Sequence, residues 1–238
     1  MSRTGFKISS LSGTCLKGER RMLLLGTLGC MLSISAVRAT PRLENAFEGA
    51  FEKKVSVKVS GDWKRKVYYG DWSVQADGSM KAVNLPEEGH GPLMTFSAPI
   101  DDAVIECEFM LPPGDEPDRH LRVFLACPEY PGHTAGAVAN ISTKSFPSGL
   151  KLYHQRKGKN RKVEEEIEFG TNPMKIPGGT WHVLKLILHG DRIRFMVNGE
   201  EVDGRNEVLD IQKDRVSLNF GKAGGHVRNF KVRSLSDK

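Results

Sequence analysis

The stretch that decides the fold is residues 178–202, GGTWHVLKLILHGDRIRFMVNGEEV. Apolar and polar side chains alternate over residues 181–188, and the alternation resumes over residues 192–198. A period of two is typical of β-strands, and the two interruptions, at Gly190 and at Asn198-Gly199, hold residues that tolerate positive φ. The stretch therefore predicts two strands joined by a tight turn, followed by a second tight turn, within an antiparallel sheet.

The same alternation recurs in short runs along most of the chain. The longest clear run is residues 103–111, where apolar side chains take one parity and two glutamates take the other. Similar runs lie at residues 55–59, 63–69, 71–76, 79–84, 91–96, 121–127, 136–142, 149–156, 161–169, 215–220 and 226–232. Turn-forming residues separate these runs, and no run beyond the first 39 residues keeps a helical period of 3.6. We therefore expect roughly ten to fourteen short strands in an all-β fold, a two-sheet antiparallel jelly-roll sandwich.

Two further hairpins are predicted from their turns and charges. Asp77-Gly78 is the turn of the first. In the second, a basic tip at residues 156–162, RKGKNRK, is followed by the acidic run Glu164–Glu168. The two arms can pair their opposite charges for a few tenths of a kcal/mol each. A nucleic-acid patch is the alternative interpretation of this tip, and the neighbouring acidic run disfavours it.

The first 39 residues are typical of an export signal. A basic region ends at Arg20-Arg21, an apolar run covers residues 22–36, and Val37-Arg38-Ala39 provides small residues for cleavage. The apolar run is shorter than the about 20 residues that a helix needs to cross a bilayer, so we expect no stable membrane span. An extended Sec signal is the favoured interpretation, with a twin-arginine signal or a lipoprotein site at Cys30 as alternatives.

These features predict three segments. Residues 1–39 form a signal peptide, residues 40–54 form a lead-in that is a short helix or irregular, and residues 55–238 form the sandwich of a secreted or periplasmic protein. The formal charge of the whole sequence is +6, and the leader holds six basic residues against one acidic residue, Glu19. The remaining chain is close to neutral, which removes the electrostatic argument for a nucleic-acid partner.

Two cysteines, Cys107 and Cys127, remain after the leader. An even pair in an oxidising compartment suggests a disulfide. Both also occupy apolar positions of what we expect to be neighbouring strands, where a free thiol packs as a small hydrophobe. The sequence leaves both interpretations open.

Several short motifs, in order, resemble the 3-keto-disaccharide hydrolase domains, a family within the concanavalin A-like lectin and glucanase superfamily. The motifs are Trp72-Ser73-Val74 with Asp77-Gly78, Gly91 and Leu93 with Thr95, Glu106-Cys107-Glu108-Phe109, Phe124-Leu125, Trp181-His182 with Asn198-Gly199, and Arg228-Asn229-Phe230-Lys231-Val232. The resemblance covers the chain from about residue 63 to residue 235 and implies a concanavalin A-like sandwich that acts on or binds carbohydrate.

The chain departs from that family at four positions that the resemblance would place on the ligand side. Met110 and Ala126 stand where the family usually has arginines, and Lys151 and Tyr153 stand where it tends to have Glu and Gln. The fold is therefore the firmer implication, and the hydrolase site is expected to be incomplete.

Strand parity predicts one polar surface as the ligand site. We expect it to hold Glu108 as the candidate catalytic group and to hold the substrate-binding candidates Glu106, Arg122, Lys151, Tyr153 and Gln155. Tyr153 is expected to be an exposed stacking partner for a sugar, so that Tyr153→Ala would weaken binding with little effect on stability.

Other candidate groups have more ordinary interpretations. His154 and His182 share the leucine-bearing parity of their strands and are predicted to be hydrogen-bonded core residues, whereas His90, His120 and His133 are expected in loops. The acidic run Glu164–Glu168 lacks the Asp of the glucanase motif and is interpreted as a solvated strand face. No metal-ligand motif is present, and the sequence identifies no cofactor.

Aromatic residues could supply a surface for sugar stacking. The candidates are Trp63, Tyr68, Tyr69, Trp72, Tyr153 and Trp181, of which Trp72 and Trp181 are predicted to be structural. The sequence therefore favours an exported carbohydrate-binding domain. The alternatives are a hydrolase of 3-keto-glycosides or related disaccharides, and a structural envelope protein.

Cleavage after Ala39 would make Thr40 the first residue of the mature chain. We expect the exported protein to be recovered outside the membrane fraction with an N-terminus at or near Thr40. N-terminal sequencing of the exported protein tests this prediction, and an intact leader in a membrane fraction would contradict it.

Overall fold

The computed structural model describes residues 40–114, 118–129, 131–140 and 148–235. The predicted signal peptide lies outside these residues. The described ranges contain fifteen strands: β1 Ser56–Ser60, β2 Trp63–Tyr69, β3 Asp71–Val74, β4 Met80–Val83, β5 Leu93–Ile100, β6 Ala103–Met110, β7 Leu121–Ala126, β8 Gly132–Ala139, β9 Gly149–Lys157, β10 Val163–Pro173, β11 His182–His189, β12 Arg192–Val197, β13 Glu200–Arg205, β14 Lys213–Phe220 and β15 Gly225–Ser234. Helical structure there is limited to two three-residue 3-10 turns, Pro86–Glu88 and Glu207–Leu209. In these same ranges no helix is long and apolar enough to cross a membrane.

The strands form two antiparallel sheets. One has eight strands in the order β1-β2-β5-β14-β7-β8-β9-β10, and the other has seven in the order β13-β12-β11-β6-β15-β4-β3. Consecutive strands often change sheets, as β6 and β7 do. The predicted all-β sandwich of two antiparallel sheets is confirmed.

The stretch that predicted the fold forms the expected hairpin. β11 and β12 pair in register, with Leu186 opposite Phe195. Asn198 and Gly199 then turn the chain into β13 with φ values of 52° and 92°. Positive φ at two successive residues is the conformation that Asn-Gly adopts most easily, so the turn is encoded locally.

Alternate side chains of both sheets fill one shared core. Met94, Phe96 and Leu125 enter it from the eight-stranded sheet, and Phe109 and Phe195 enter it from the seven-stranded sheet, all with no exposed area. Burying large apolar side chains in this way is the main favourable term in the folding of such a sandwich.

Cys107 and Cys127 are free and buried. Cys107 lies in β6, and Cys127 directly follows β7, so the two residues belong to opposite sheets and the expectation of neighbouring strands is wrong. The second interpretation of the sequence, in which each thiol packs as a small hydrophobe, is the one that the structure supports.

The lead-in is irregular rather than helical, and a buried arginine attaches it to the sandwich. Arg65 in β2 is 1% exposed. Its guanidinium donates hydrogen bonds to the backbone carbonyls of Ala46 (3.0 Å), Glu48 (2.8 Å) and Ala50 (2.5 Å). It also lies 3.8 Å from the centre of the Phe51 ring. These contacts satisfy a cation that would otherwise be costly to bury.

Two residues of β11 separate core packing from surface chemistry. Leu186 has no exposed area, whereas Val183 is 60% exposed on the outer face of the same strand. Leu186→Ala is expected to lower the free energy of unfolding by about 2 to 5 kcal/mol through lost burial and a cavity. Val183→Ala should stay within about 0.5 kcal/mol of the parent. Urea unfolding of both variants measures the difference, and similar losses would mean that the inward and outward faces of β11 are misassigned.

Candidate functional site

Strands β7, β8 and β9 bring a group of polar and aromatic side chains onto the outer face of the eight-stranded sheet. The pairings place Arg122, Val138 and Lys151 in one row across the three strands, and Phe124, Gly136 and Tyr153 in the next. We define the Arg122 face as the side chains of Arg122, Phe124, His133, Lys151, Tyr153 and Gln155. Neighbouring strands lie about 4.8 Å apart, so these side chains can contact a ligand the size of a sugar together.

A break in the strand register adds His133 to this face. His133 pairs with Gln155, and Gly136 pairs with Tyr153, so the pairing of β8 with β9 shifts between these two positions. Residues three apart would point to opposite faces in a regular strand, whereas this irregularity lets both serve the same face. The expectation that His133 lies in a loop is therefore wrong. The sequence missed it because residues 132–139, GHTAGAVA, show no clear alternation.

Tyr153 lies flat against the sheet rather than standing out from it. A side chain at Gly136 would come within 2.3 Å of its ring, so the absence of one is what leaves room for the tyrosine. Tyr153 is only 5% exposed, and its hydroxyl shares a 2.7 Å hydrogen bond with Nδ1 of His133. Burial raises the pKa of the phenol to about 12. Because the ring is almost fully buried, the expectation that Tyr153 is an exposed stacking platform is wrong. Truncating Tyr153 would also remove packing against Gly136.

His133 is held as a neutral imidazole. Its ring centre lies 4.1 Å from that of Phe124. Burial, and then the positive charge of Arg122, lower the pKa of His133 to about 3. With Nδ1 engaged by Tyr153, no hydrogen bond from Nε2 to any of the described residues is present, so that atom is available to a ligand.

Arg122 supplies the positive charge of the face. Its guanidinium carbon lies 5.9 Å from the centre of the Tyr153 ring. Its Nε is buried and has no hydrogen-bond partner among the described residues. Burial and the charge of Arg122 also lower the pKa of His120, to about 4.

Lys151 and Gln155 face the acidic arm of β10. Lys151 Nζ lies 3.4 Å from Glu166 and 3.2 Å from Glu168, and the amide of Gln155 donates to Glu166 at 3.1 Å. Arg156 pairs with Glu165 at 3.1 Å in the same hairpin. The predicted charge pairing between the arms is confirmed.

The other two candidates, Glu106 and Glu108, lie on the opposite side of the molecule. Both are in β6, whose sheet does not contain β7 or β9. The expectation that all six candidates line one surface is therefore wrong. Parity along a strand shows which side chains point away from the core, but it does not show to which sheet the strand belongs.

Both of these glutamates are also occupied by their neighbours. Glu108 accepts two hydrogen bonds from Arg228, at 3.0 and 2.7 Å, and one from Asn229 at 2.6 Å. These bonds lower the pKa of Glu108. Glu106 lies 3.2 Å from Lys185 and 3.4 Å from Arg233. Such a fixed, ionised Glu108 is poorly suited to act as a general acid.

The remaining histidine and aromatic predictions divide between core and surface. His154 and His182 are 1% and 3% exposed and hydrogen-bonded, as predicted. Trp72, 4% exposed, is confirmed as structural, and Trp63 has no exposed area. Trp181 is half-buried on the outer face of the seven-stranded sheet, where the centre of its ring lies 4.1 Å from the guanidinium carbon of Arg228.

Metal-binding geometry is not seen in the described part of the chain. There, no three His, Cys, Asp or Glu side chains are grouped closely enough to hold an ion.

Solved structures with this architecture include two carbohydrate-binding proteins. The carbohydrate binding module CBM66 from Bacillus subtilis is 14% identical, with a TM-score of 0.50 over 71% of this chain and 95% of that chain. The metal-free carbohydrate recognition domain of Emp46p is 10% identical, with a TM-score of 0.52 over 72% of this chain and 87% of that chain. At these identities the likeness establishes the fold alone.

Sequence comparison gives the family. None of the curated proteins compared with this chain matches it. A family model described as a 3-keto-alpha-glucoside-1,2-lyase-like domain matches residues 49–233, which is most of the chain. This agrees with the resemblance seen in the short motifs, and the chain therefore belongs to the family of 3-keto-alpha-glucoside-1,2-lyase-like domains.

Proposed function

We propose that this protein is an exported carbohydrate-binding domain that holds a sugar on the Arg122 face. The observation that carries the proposal is the grouping, on three adjacent strands, of the Arg122 cation, the neutral imidazole of His133 and the ring of Phe124. Hydrogen-bonding atoms of Arg122 and His133 have no partner among the described residues. Sugars present hydroxyl groups at their edges and C–H groups on their ring faces, so they need this combination of planar polar and aromatic side chains. CBM66 is described as a carbohydrate binding module and the Emp46p domain as a carbohydrate recognition domain, and both share the fold of this chain.

The electrostatics of the face favour binding over hydrolysis. Glycoside hydrolysis needs two carboxylates with different protonation states. Glu166 and Glu168 both lie beside Lys151, and the predicted catalytic Glu108 belongs to the other sheet. His133, whose pKa is lowered to about 3, is a weak base near neutral pH but a good hydrogen-bonding partner for a hydroxyl group.

A second candidate function is elimination on a 3-keto-glycoside, which the family match favours. In such a reaction a base takes the proton from C2, and the electron pair of the broken C2–H bond forms the C1–C2 double bond. The aglycone oxygen leaves C1 with the C1–O bonding pair and gains a proton. The C3 carbonyl oxygen gains negative charge as the proton leaves. Arg122 on this face is suited to stabilise that charge, whereas His133, whose pKa is lowered to about 3, is a weak base for the removal of the C2 proton. Release of an aglycone from a 3-keto-α-glucoside would favour this candidate over binding alone.

The export part of the proposal rests on the composition of residues 1–39. A basic region, a short apolar run and a small-residue site follow one another there in the order of a signal peptide. A carbohydrate-binding domain delivered to the cell surface or the periplasm would meet its ligand there.

Tyr153→Phe tests the location of the site without changing its packing. The variant keeps the ring over Gly136 and removes the hydroxyl that orients His133. We expect a five- to tenfold loss of affinity for a glycan identified on an array, since a hydrogen bond is worth about 1 kcal/mol. Isothermal titration measures it, with Trp181→Ala on the opposite sheet as the control. If Trp181→Ala loses affinity and Tyr153→Phe does not, the site lies on the seven-stranded sheet.

The neutral state of His133 makes a separate prediction about acid stability. Its folded-state pKa of about 3 is below its ordinary value of 6.5, so the unfolded chain takes up the proton first as the pH falls. The stability that it contributes is complete above pH 6.5 and is lost towards pH 3. Between pH 6.5 and 4.5 the loss amounts to at most about 2.7 kcal/mol, at 1.36 kcal/mol per pH unit. Urea unfolding at both pH values should show a smaller acid loss in His133→Gln than in the parent, and identical losses would show that His133 titrates normally.

A further inference from the structure

The guanidinium of Arg122 lacks a counter-charge. No carboxylate among the described residues lies within ion-pair distance of it, and its buried Nε makes no hydrogen bond to them. The contrast with Arg228 on the other sheet is direct, because that guanidinium holds Glu108 through two hydrogen bonds. Burying part of a cation without a partner is costly, so a native structure that keeps one calls for an explanation.

The groups around Arg122 do not balance its charge. The charge of Arg122 acts on the pKa values of His120, His133 and Tyr153, and none of these three groups is an anion near neutral pH. Asp118 lies 3.3 Å from His120, and its side chain is 43% exposed. The carboxylates of β10 lie beside Lys151, which already carries a charge of its own. Arg122 is therefore a cation of this face that makes no ion pair with the described residues.

We infer that Arg122 binds an anionic group of the carbohydrate, and that this group is the carboxylate of a sugar acid. A guanidinium presents parallel N–H groups that match the two oxygens of a carboxylate, and such pairs are among the stronger polar contacts in proteins. Neutral His133 would bind the same sugar, because its Nε2 is placed to hydrogen-bond a hydroxyl group. The inference rests on the proposed function, since it names the class of sugar that the same face would take. A sulfate ester would offer similar chemistry and is an arm of the test.

The test compares ligands that differ only in the group at C6. Methyl α-glucuronide, methyl α-glucoside and methyl α-glucoside 6-sulfate are titrated calorimetrically into the parent protein at low and at high salt. We expect the glucuronide to bind about tenfold or more tightly than the glucoside, because charge-assisted hydrogen bonds contribute more than neutral ones. High salt should reduce this preference.

Variants assign the preference to the guanidinium. Arg122→Gln should bind the glucuronide and the glucoside with similar affinity, and Arg122→Lys, which keeps the charge but not the planar donor pair, should keep only part of the preference. Arg194→Gln, on the outer face of the other sheet with its side chain 55% exposed, is the matched control and should keep the full preference.

The outcomes separate this inference from the proposed function. Equal binding of glucuronide and glucoside by the parent overturns the anionic ligand and leaves carbohydrate binding standing. Tight binding of the sulfate but not of the glucuronide overturns the carboxylate. Failure of all three ligands, together with an empty glycan array, overturns both proposals.

Thermal unfolding gives a readout that needs no ligand. If the guanidinium is an unsatisfied cation, Arg122→Met should melt at the same temperature as the parent or higher, because it removes an uncompensated charge and keeps an apolar stem. The glucuronide should raise the melting temperature of the parent and leave that of Arg122→Met unchanged. A large fall in the melting temperature of Arg122→Met without ligand would show that Arg122 has a structural partner, and would overturn the inference.

Discussion

The structure depends on a single apolar interior that two sheets share. Stacked sheets lie about 10 Å apart, and each strand must give every second side chain to that space. Trp63 and Phe96 of one sheet and Phe109 and Phe195 of the other are buried there without exposed area. Side chains that bind or react are therefore left to the two outer faces, which lie on opposite sides of the molecule and cannot cooperate in one site.

The two outer faces differ in how their charges are balanced. On the seven-stranded sheet, Glu106 and Glu108 are matched by cations from the adjacent strands, so the charges there satisfy one another. On the eight-stranded sheet, Lys151 is matched by β10, whereas Arg122 keeps its charge beside a neutral histidine. A face whose groups are all paired stabilises the fold, whereas a face with unpaired groups is suited to a ligand.

Local features were predictable from the sequence, and sheet membership was not. The Asn198-Gly199 turn and the charged β9–β10 hairpin depend on residues close in the chain, and the structure confirms both. The placing of β6 and β7 in opposite sheets depends on which crossovers close the shared core, about which alternation says nothing. Four of the six candidate side chains thus share one face. His133 was missed because a register shift, invisible in a run of small residues, directs it there.

Two arginines of the eight-stranded sheet show why the same residue type can be structural in one place and a ligand-binding candidate in another. Arg65 points inward, where three backbone carbonyls of the lead-in and the ring of Phe51 surround it. The hydrogen bonds to those acceptors offset the free energy lost on desolvating the charge, so Arg65 can hold the lead-in to the sandwich. Arg122 points outward with Nε buried and no acceptor among the described residues. No residue in that part of the chain offsets the desolvation of the Arg122 charge. An anionic ligand bound at the exposed end of the guanidinium would offset it. The difference lies in the partners that each side chain finds, which is why a basic residue in a strand pattern does not by itself reveal its role.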